Sequence, residues 1–479
     1  MTIRIFHASS PAATVLLAAA IDACCFTEPD RRILLLSRTG PAPEAGADVS
    51  ESHGFERLRA RFDEVLSWND AIFPFHPDGW LPRADDAPLW ERHFRRAWGL
   101  GDEPLELVVD SPHAGPARAL TQVFAGVPVD VYAEGPGGYG PTGEKLPPPA
   151  GTRVRRLLHP DLVPGVRPLL LGEYGVEPQT VPAGAITKVV GELAELDEEL
   201  SGAVGPALKL TGAELPDAGL PDALPDAGLT DVEAPALLLG QDLAGSGLIP
   251  AAEEAGLRLE MVRGAAALGH TRLVFAPDPY APWESPAALL AEAGRLGVEL
   301  TVLDTARPVP ADVLLHRLRP ALVVGCTSAA LFGAARFHGL PVATVGTGLL
   351  LERLTPYENA ERIPATLADA VLPALDDAEA VAAQKPGGAV GSDGAVGLDG
   401  LLAAVGFAMR PKVRPDLRPA AERYLSAHLD GRTWRYFKRR RLASLALPGV
   451  VPARLAFLRS NPALRRVARR ARALRRGGG

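Results

Sequence analysis

Two textures alternate along this chain. Short unbroken apolar runs, rich in Val, Ile and Leu, are followed by longer stretches in which apolar positions recur every three or four residues. The first texture predicts strands buried on both faces, and the second predicts helices that cover them. In the first half the pattern predicts strands at Thr2–Phe6, Arg32–Leu36, Leu105–Asp110 and Val127–Tyr132. Between them it predicts helices at Ala12–Phe26, Phe55–Leu66, about Leu89–Trp98 and Ala117–Phe124, with a polar, aromatic loop holding Trp68 and Phe75-His76-Pro77. A mixed segment beyond Leu157–Asp161 leads to an acidic helix at Lys188–Leu200. The rhythm resumes with strands at Pro235–Gly240, Arg272–Phe275, Glu299–Leu303, Ala321–Val324 and Val342–Val345. The intervening helices are Ala251–Arg263, Ala287–Leu296, Ala311–Leu318 and one ending near His338, where Gly339 suits a left-handed C-cap.

Strand–helix repetition of this kind predicts an α/β fold with two Rossmann-like domains. A chain of 479 residues, with 47% hydrophobic positions, has room for more than one core. The expected division is an N-terminal domain over residues 1–212, a Pro/Ala/Gly linker over 213–233 and a C-terminal nucleotide-binding domain over 234–375. The linker carries Pro-Asp-Ala three times, at Pro216, Pro221 and Pro225. A low-complexity Ala/Gly/Asp loop at 376–400 and a basic helical extension at 401–479 complete the chain.

Charge changes the picture at the C-terminus. From Arg410 onward there are 20 Lys and Arg against 3 Asp and Glu, so the first 409 residues carry about −24 of a total of −7. A basic, partly amphipathic extension suits an anionic membrane surface, or else is simply solvated. Nucleic acid is not an expected partner, because the body is acidic and aromatic platforms are few. No apolar run approaches the length needed to span a bilayer. The stretch Val15–Ala20 follows a strand and is not read as a signal peptide. Cys24, Cys25 and Cys326 show neither a disulfide pattern nor metal-ligand spacing, so a cytoplasmic protein without metal or cofactor is expected.

Candidate chemistry sits where strands end, because ligands of parallel α/β sheets lie off the carboxyl edge. The turn His7-Ala8-Ser9-Ser10 is not a dinucleotide fingerprint. The loop Ala133-Glu134-Gly135-Pro136-Gly137-Gly138-Tyr139-Gly140-Pro141 places a carboxylate among glycines. There Glu134 suits a general base on a sugar hydroxyl, or is an incidental surface acid. Gly135 and Tyr139 support the loop, and Tyr139 either stacks on a sugar or anchors the chain. Thr327 and Ser328 open a helix whose free N–H groups suit a phosphate, or else cap it. Gln241 either contacts a nucleotide or is a loop hydrogen-bonder, and Glu358 and Asn359 either face the same cleft or start a helix. Two such domains without a fingerprint suggest a nucleotide-sugar glycosyltransferase, although binding proteins and kinases share these sheets.

The segments Tyr132–Gly135, Tyr139–Thr142, Asp161–Gly165, Leu239–Gln241, Met261-Val262, Arg362–Pro364 and Tyr436–Arg440 are similar to motifs of the bacterial sialyltransferases and of the alpha-2,8-polysialyltransferase-like family. That resemblance implies a GT-B-like fold whose two halves face a cleft. It implies a CMP-sialic acid donor, a glycan or glycolipid acceptor such as a capsule polysaccharide, and inverting transfer without a required metal. It implies Glu134 as the catalytic carboxylate, with Thr327 and Ser328 on the donor phosphate. With the basic extension, a peripheral position on the inner membrane face is expected. One departure stands out. Where the family carries Lys-Pro-His-Pro, this chain reads Ala276-Pro277-Asp278-Pro279, and an ionised Asp278 repels a phosphate. The donor would then be activated by another group, be a different nucleotide sugar, or be bound without turnover.

Overall fold

The computed structural model describes residues 2–39, 43, 48–146, 148–195, 234–278, 286–304, 309–384 and 397–449. Its first sheet has seven strands, all parallel: β1 (Ile3–Ala8), β2 (Arg31–Leu36), β3 (Glu64–Ser67), β4 (Leu105–Val109), β5 (Val129–Tyr132), β6 (Val154–Pro160) and β7 (Glu177–Val181). They lie in the order β3-β2-β1-β4-β5-β6-β7. The second sheet is also parallel: β8 (Ala236–Leu239), β9 (Arg272–Ala276), β10 (Glu299–Val302), β11 (Leu322–Gly325) and β12 (Val342–Thr344), in the order β10-β9-β8-β11-β12. In each sheet the chain winds outward, returns to the centre and winds the other way. The reversal falls between β1 and β4 in one sheet and between β8 and β11 in the other, and such switch points open crevices at the carboxyl edge. The two halves face each other across one cavity lined by both, the GT-B-like arrangement that the resemblance implies.

The central strands are buried on both faces and largely apolar: Ile3, Ile5 and Phe6 of β1 and Leu322, Val323 and Val324 of β11 are all buried, with Arg4 and His7 as the buried polar members of β1. Several expectations shift. The predicted helix Phe55–Leu66 stops at Arg59, and its last residues form the edge strand β3, where Val65 and Leu66 register against Leu34 and Leu35. Trp68 starts a helix (Trp68–Ile72) capped by Ser67 and is fully buried, its ring 5.6 Å from that of Phe94, so this part of the predicted loop is core. The stretch ending at Pro160 is β6 and the mixed segment beyond it contains β7, and their polar, interrupted sequences hid two edge-side strands. The linker at 213–233 lies outside the described residues.

The region read as a low-complexity loop is ordered at both ends. Helix Ala378–Ala382 buries Val381, Gln384 exchanges hydrogen bonds with the backbone of Val342, and residues 398–400 begin the helix Leu398–Met409. Only 385–396 of it lie outside the described residues. The basic extension divides too. Up to Gly449 much of its charge is held inside the fold. Arg414 donates to Leu169 O of the first domain and pairs with Asp416. Arg435 pairs with Asp369, Arg441 with Glu358, and Lys438 donates to Glu352 O. These residues tie the C-terminal helices back across both halves, so that charge is not a free basic surface. Residues 450–479 are not described. Among the described residues no helix is long and apolar enough to cross a membrane.

Arg362 makes a separate tie within the second domain. It is wholly buried, lies 4.1 Å over the Tyr357 ring, and donates to the carbonyls of Tyr357 and Leu354 at 2.9 Å. Arg362→Ala strands those carbonyls without donors. It is expected to cost about 3 kcal/mol, read as a lower urea midpoint at unchanged slope.

Candidate functional site

The first wall is built from strand ends of the N-terminal sheet. The chain leaves β1 at Ala8, and Ser10 caps the helix Pro11–Asp22, its Oγ accepting from Ala13 N at 2.9 Å. The same Oγ donates to Glu134 Oε2 at 2.6 Å, so the carboxyl lies at the positive end of that helix. Glu134 stands two residues beyond β5, partly buried. Burial pushes it up to about 7, against the pull of the Ser10 hydrogen bond and with a further push from the Asp110 charge. Asp110, just past β4, faces a different balance. Burial raises it, but contact with His7 and the Ser111 N–H bring it below the ordinary carboxyl range. His7 Nδ1 lies 3.4 Å from Asp110 Oδ1, and its Nε2 is 2.8 Å from Ser37 Oγ. Ser37, His7, Asp110 and Glu134 thus form a polar row across β2, β1, β4 and β5.

Beyond Glu134 the chain makes a short 3-10 turn over Pro136–Tyr139. Tyr139 is buried and its hydroxyl accepts from Val163 N at 3.0 Å, so it anchors the loop and does not line the cavity. Gly140 must lack a side chain, because a Cβ there would stand 2.9 Å from Ile363 of the second domain. A Cβ on Gly135 would stand 3.5 Å from that of Ala329, the first residue after Ser328. The loop therefore touches the starts of two helices of the opposite domain.

The second wall uses the β8/β11 switch point. Ser328 caps the helix Ala329–Phe337, its Oγ accepting from Ala330 N at 3.2 Å, and Gly339 closes the turn after it at φ +62°. The first-turn N–H groups of a helix have no partner within it, which leaves Ser328 and Ala329 as donors toward the cavity. Gln241, past β8, is committed to the neighbouring turn. Its Oε1 accepts from Thr327 N at 2.9 Å and Cys326 N at 3.2 Å, and its Nε2 donates to Thr327 Oγ1 at 3.3 Å. Gln241 thereby shapes the Thr327–Ser328 turn.

Both walls line one cavity of about 460 Å³, which brings together Glu134, Gln241, Asp278, Thr327 and Ser328. Its described lining holds five carboxyls, Glu134, Asp278, Asp304, Asp312 and Glu361, and no Lys, Arg or His. Asp312 lies 3.8 Å from His338 Nε2. Among the described residues no cluster of three or more His, Cys, Asp or Glu is placed to hold a metal.

Sequence reasoning missed Ser10, His7, Asp110 and Glu361. The Ser-Ser-Pro turn after β1 was visible, but its link to Glu134 spans 124 residues. Near Glu361 it offered Glu358 and Asn359, either to the cleft or to a helix start, and the second role holds for Asn359. Glu358 instead pairs with Arg441, and Asn359 Oδ1 accepts from Glu361 N at 2.9 Å, holding the start of the helix Arg362–Val371. Burial raises the Glu361 carboxyl, and its charge reaches Cys326, whose thiol is pushed up to about 12 chiefly by its own burial. Of the first-domain His-Pro pairs, His76 is exposed and His159 is buried, its Nδ1 3.0 Å from Pro160 O.

Ser10→Ala tests the link between cap and carboxyl. Loss of the donor is expected to move the Glu134 titration above about 7, followed by carbon-13 NMR of labelled Glu side chains. A cap that acts only on its helix would leave the titration in place.

The alpha-2,8-polysialyltransferase family model matches residues 4–347. No curated protein matches the chain. Among solved structures, the chain is similar to a Thermobaculum terrenum O-GlcNAc transferase mutant at 16% identity and a TM-score of 0.33, covering 92% of this chain and 67% of that one. It is similar to Glycyrrhiza uralensis UGT73P12, complexed with glycyrrhetinic acid 3-O-monoglucuronide, at 12% identity and 0.42, covering 90% and 98%. A ugt transferase from Siraitia grosvenorii in complex with UDP gives 11% and 0.40, covering 90% and 100%. These are distant likenesses and assign no substrate to this chain.

Proposed function

The chain belongs to the alpha-2,8-polysialyltransferase family and is a glycosyltransferase, and from that premise we propose that it moves a sialic-acid-like sugar from a CMP-linked donor to a glycan or lipid-linked acceptor. The observation that carries the reading is that Glu134 and Ser328 line the same cavity from opposite domains. The donor phosphate lies at the start of the helix Ala329–Phe337, held by its free amides and by the hydroxyls of Ser328 and Thr327. The acceptor hydroxyl lies against Glu134. As the glycosyl–phosphate bond breaks, its electron pair leaves with the phosphate. The acceptor oxygen bonds the anomeric carbon from the opposite face, and its proton passes to Glu134. One displacement of this kind inverts the centre.

A base near neutral pH needs a pKa near neutral pH, and the partly buried Glu134 has one. Its ionised form is the active one, so transfer should rise with pH through about 7. Glu134→Ala is expected to lower kcat by about 10²- to 10⁴-fold or more, with CMP affinity by calorimetry nearly unchanged. Full activity in that variant would place the base elsewhere.

A second reading is favoured by one observation. Asp278 stands where the family carries His, and the described lining holds acids without a basic group, which disfavours an anionic donor. On this reading the protein binds nucleotide or carbohydrate without transfer, or uses another nucleotide sugar. A panel of CMP, UDP and GDP, followed by donor turnover, separates the readings, because CMP binding without turnover supports the non-catalytic one.

The proposed acceptor surface is the inner face of a membrane, reached through residues 450–479, which carry nine Arg and no acidic residue. Removing those residues is expected to abolish sedimentation with phosphatidylserine liposomes at low salt and to spare transfer to a soluble acceptor. Unchanged sedimentation would remove the tail from this role.

A further inference from the structure

A leaving phosphate in this cavity needs its growing charge met, and the described lining has no cationic side chain to meet it. Backbone amides and the hydroxyls of Thr327 and Ser328 supply hydrogen bonds but no proton. An acid that faces the cavity beside the Thr327–Ser328 turn can supply it. Asp278 and Asp304 stand two residues past the ends of β9 and β10. Asp312 is turned toward His338. Glu361 meets the requirement.

Its position is fixed from several directions. It caps the helix Arg362–Val371, and its backbone N–H is held by Asn359. The next residue, Arg362, is locked to three carbonyls, of Tyr357, Leu354 and Leu351. The residue after that, Ile363, abuts Gly140 of the Glu134 loop. The start of this helix is therefore pinned against the loop that carries Glu134, while the Glu361 side chain lines the cavity close enough to Cys326 to act on its thiol. Cys326 directly precedes Thr327 and Ser328. We propose that Glu361 is the proton donor to the leaving group, acting from the donor wall while Glu134 acts as base from the acceptor wall.

This assignment rests on the transferase reading and adds the half-reaction that Asp278 leaves unfilled. The bond between the anomeric carbon and the phosphate oxygen breaks. Its electron pair stays on that oxygen, and the Glu361 proton joins it. The acceptor proton goes to Glu134. After product release Glu134 returns a proton to solvent and Glu361 takes one up, so the cycle closes without a further reagent. Burial raises the Glu361 carboxyl, which suits an acid that must hold its proton until the bond breaks. The titratable groups around it are Cys326 behind it, Glu134 from the facing domain, Glu358 with Arg441 before it on the same loop, the neighbouring Arg362, and Asp278, Asp304 and Asp312 on the rest of the lining.

The test compares the full-length wild type with Glu361→Gln, Glu361→Asp and Glu134→Gln, using CMP-N-acetylneuraminic acid as donor and CMP as ligand. Glutamine keeps the shape and a hydrogen-bond donor but carries no transferable proton. Glu361→Gln is expected to lower kcat by about 10²-fold or more with KM within about threefold, and to remove the alkaline fall in kcat. Glu361→Asp should restore part of kcat and keep that alkaline fall. CMP affinity of the wild type should weaken with rising pH more steeply than that of Glu361→Gln, a readout that needs no turnover. Wild-type kcat in Glu361→Gln, or a loss of activity that follows CMP affinity with the pH profile unchanged, overturns the assignment while Glu134→Gln still tests the base. A wild type that neither binds CMP nor transfers from this donor takes away both the donor reading and the acid with it.

Discussion

The contact between the Glu134 loop and the opposite domain is the constraint on which the site depends. Gly140 lets it form by passing where a side chain would strike Ile363, while Gly135 passes Ala329 at ordinary contact distance. Through these close approaches one short segment meets the starts of two helices. Without them each sheet would still present its own crevice, but the two crevices would not share a cavity. The C-terminal segment reinforces the arrangement, since Arg414 reaches the first domain and Arg441 and Tyr436 brace the second.

Within that cavity the same kind of helix terminus is put to different uses. The start of Pro11–Asp22 faces Glu134 through Ser10 and stabilises whatever negative charge the carboxyl carries. The start of Arg362–Val371 is held by Asn359 and carries a carboxyl of its own. The start of Ala329–Phe337 is capped by the neutral hydroxyl of Ser328 and lines the cavity, which suits it to receive an anion. A cavity short of cations can take a phosphate only through such dipoles and through neutral donors. The raised carboxyls fit the same logic, because burial without a cationic partner favours the protonated acid.

Much of the C-terminal charge is structural. The basic count there reads as a surface property, yet the described part of the segment threads its Arg and Lys side chains onto carbonyls and carboxylates of both domains. A charged residue in sequence has no address until its partner is known. Asp369 and Glu358 lie dozens of residues away, and neither looks unusual in its own neighbourhood.

Sequence by itself determined the alternation of buried strands and covering helices, because a strand sealed on both faces is mostly apolar and a helix on a sheet must repeat every three to four residues. It also determined the helix starts at Ser10 and Ser328, where local hydrogen bonding decides the cap, and it marked Glu134 as a carboxylate in a glycine-rich turn at a strand end. Strands β3, β6 and β7 escaped it, because their sequences are short and partly polar and only pairing with a neighbour makes them strands. The tertiary structure alone decided that Gln241 would bind the turn beside it, that Glu361 would line the cavity in place of Glu358 or Asn359, and that Asp110 and His7 would stand behind Glu134. Those facts depend on the order in which parallel strands lie side by side, which brings together residues that no local pattern connects.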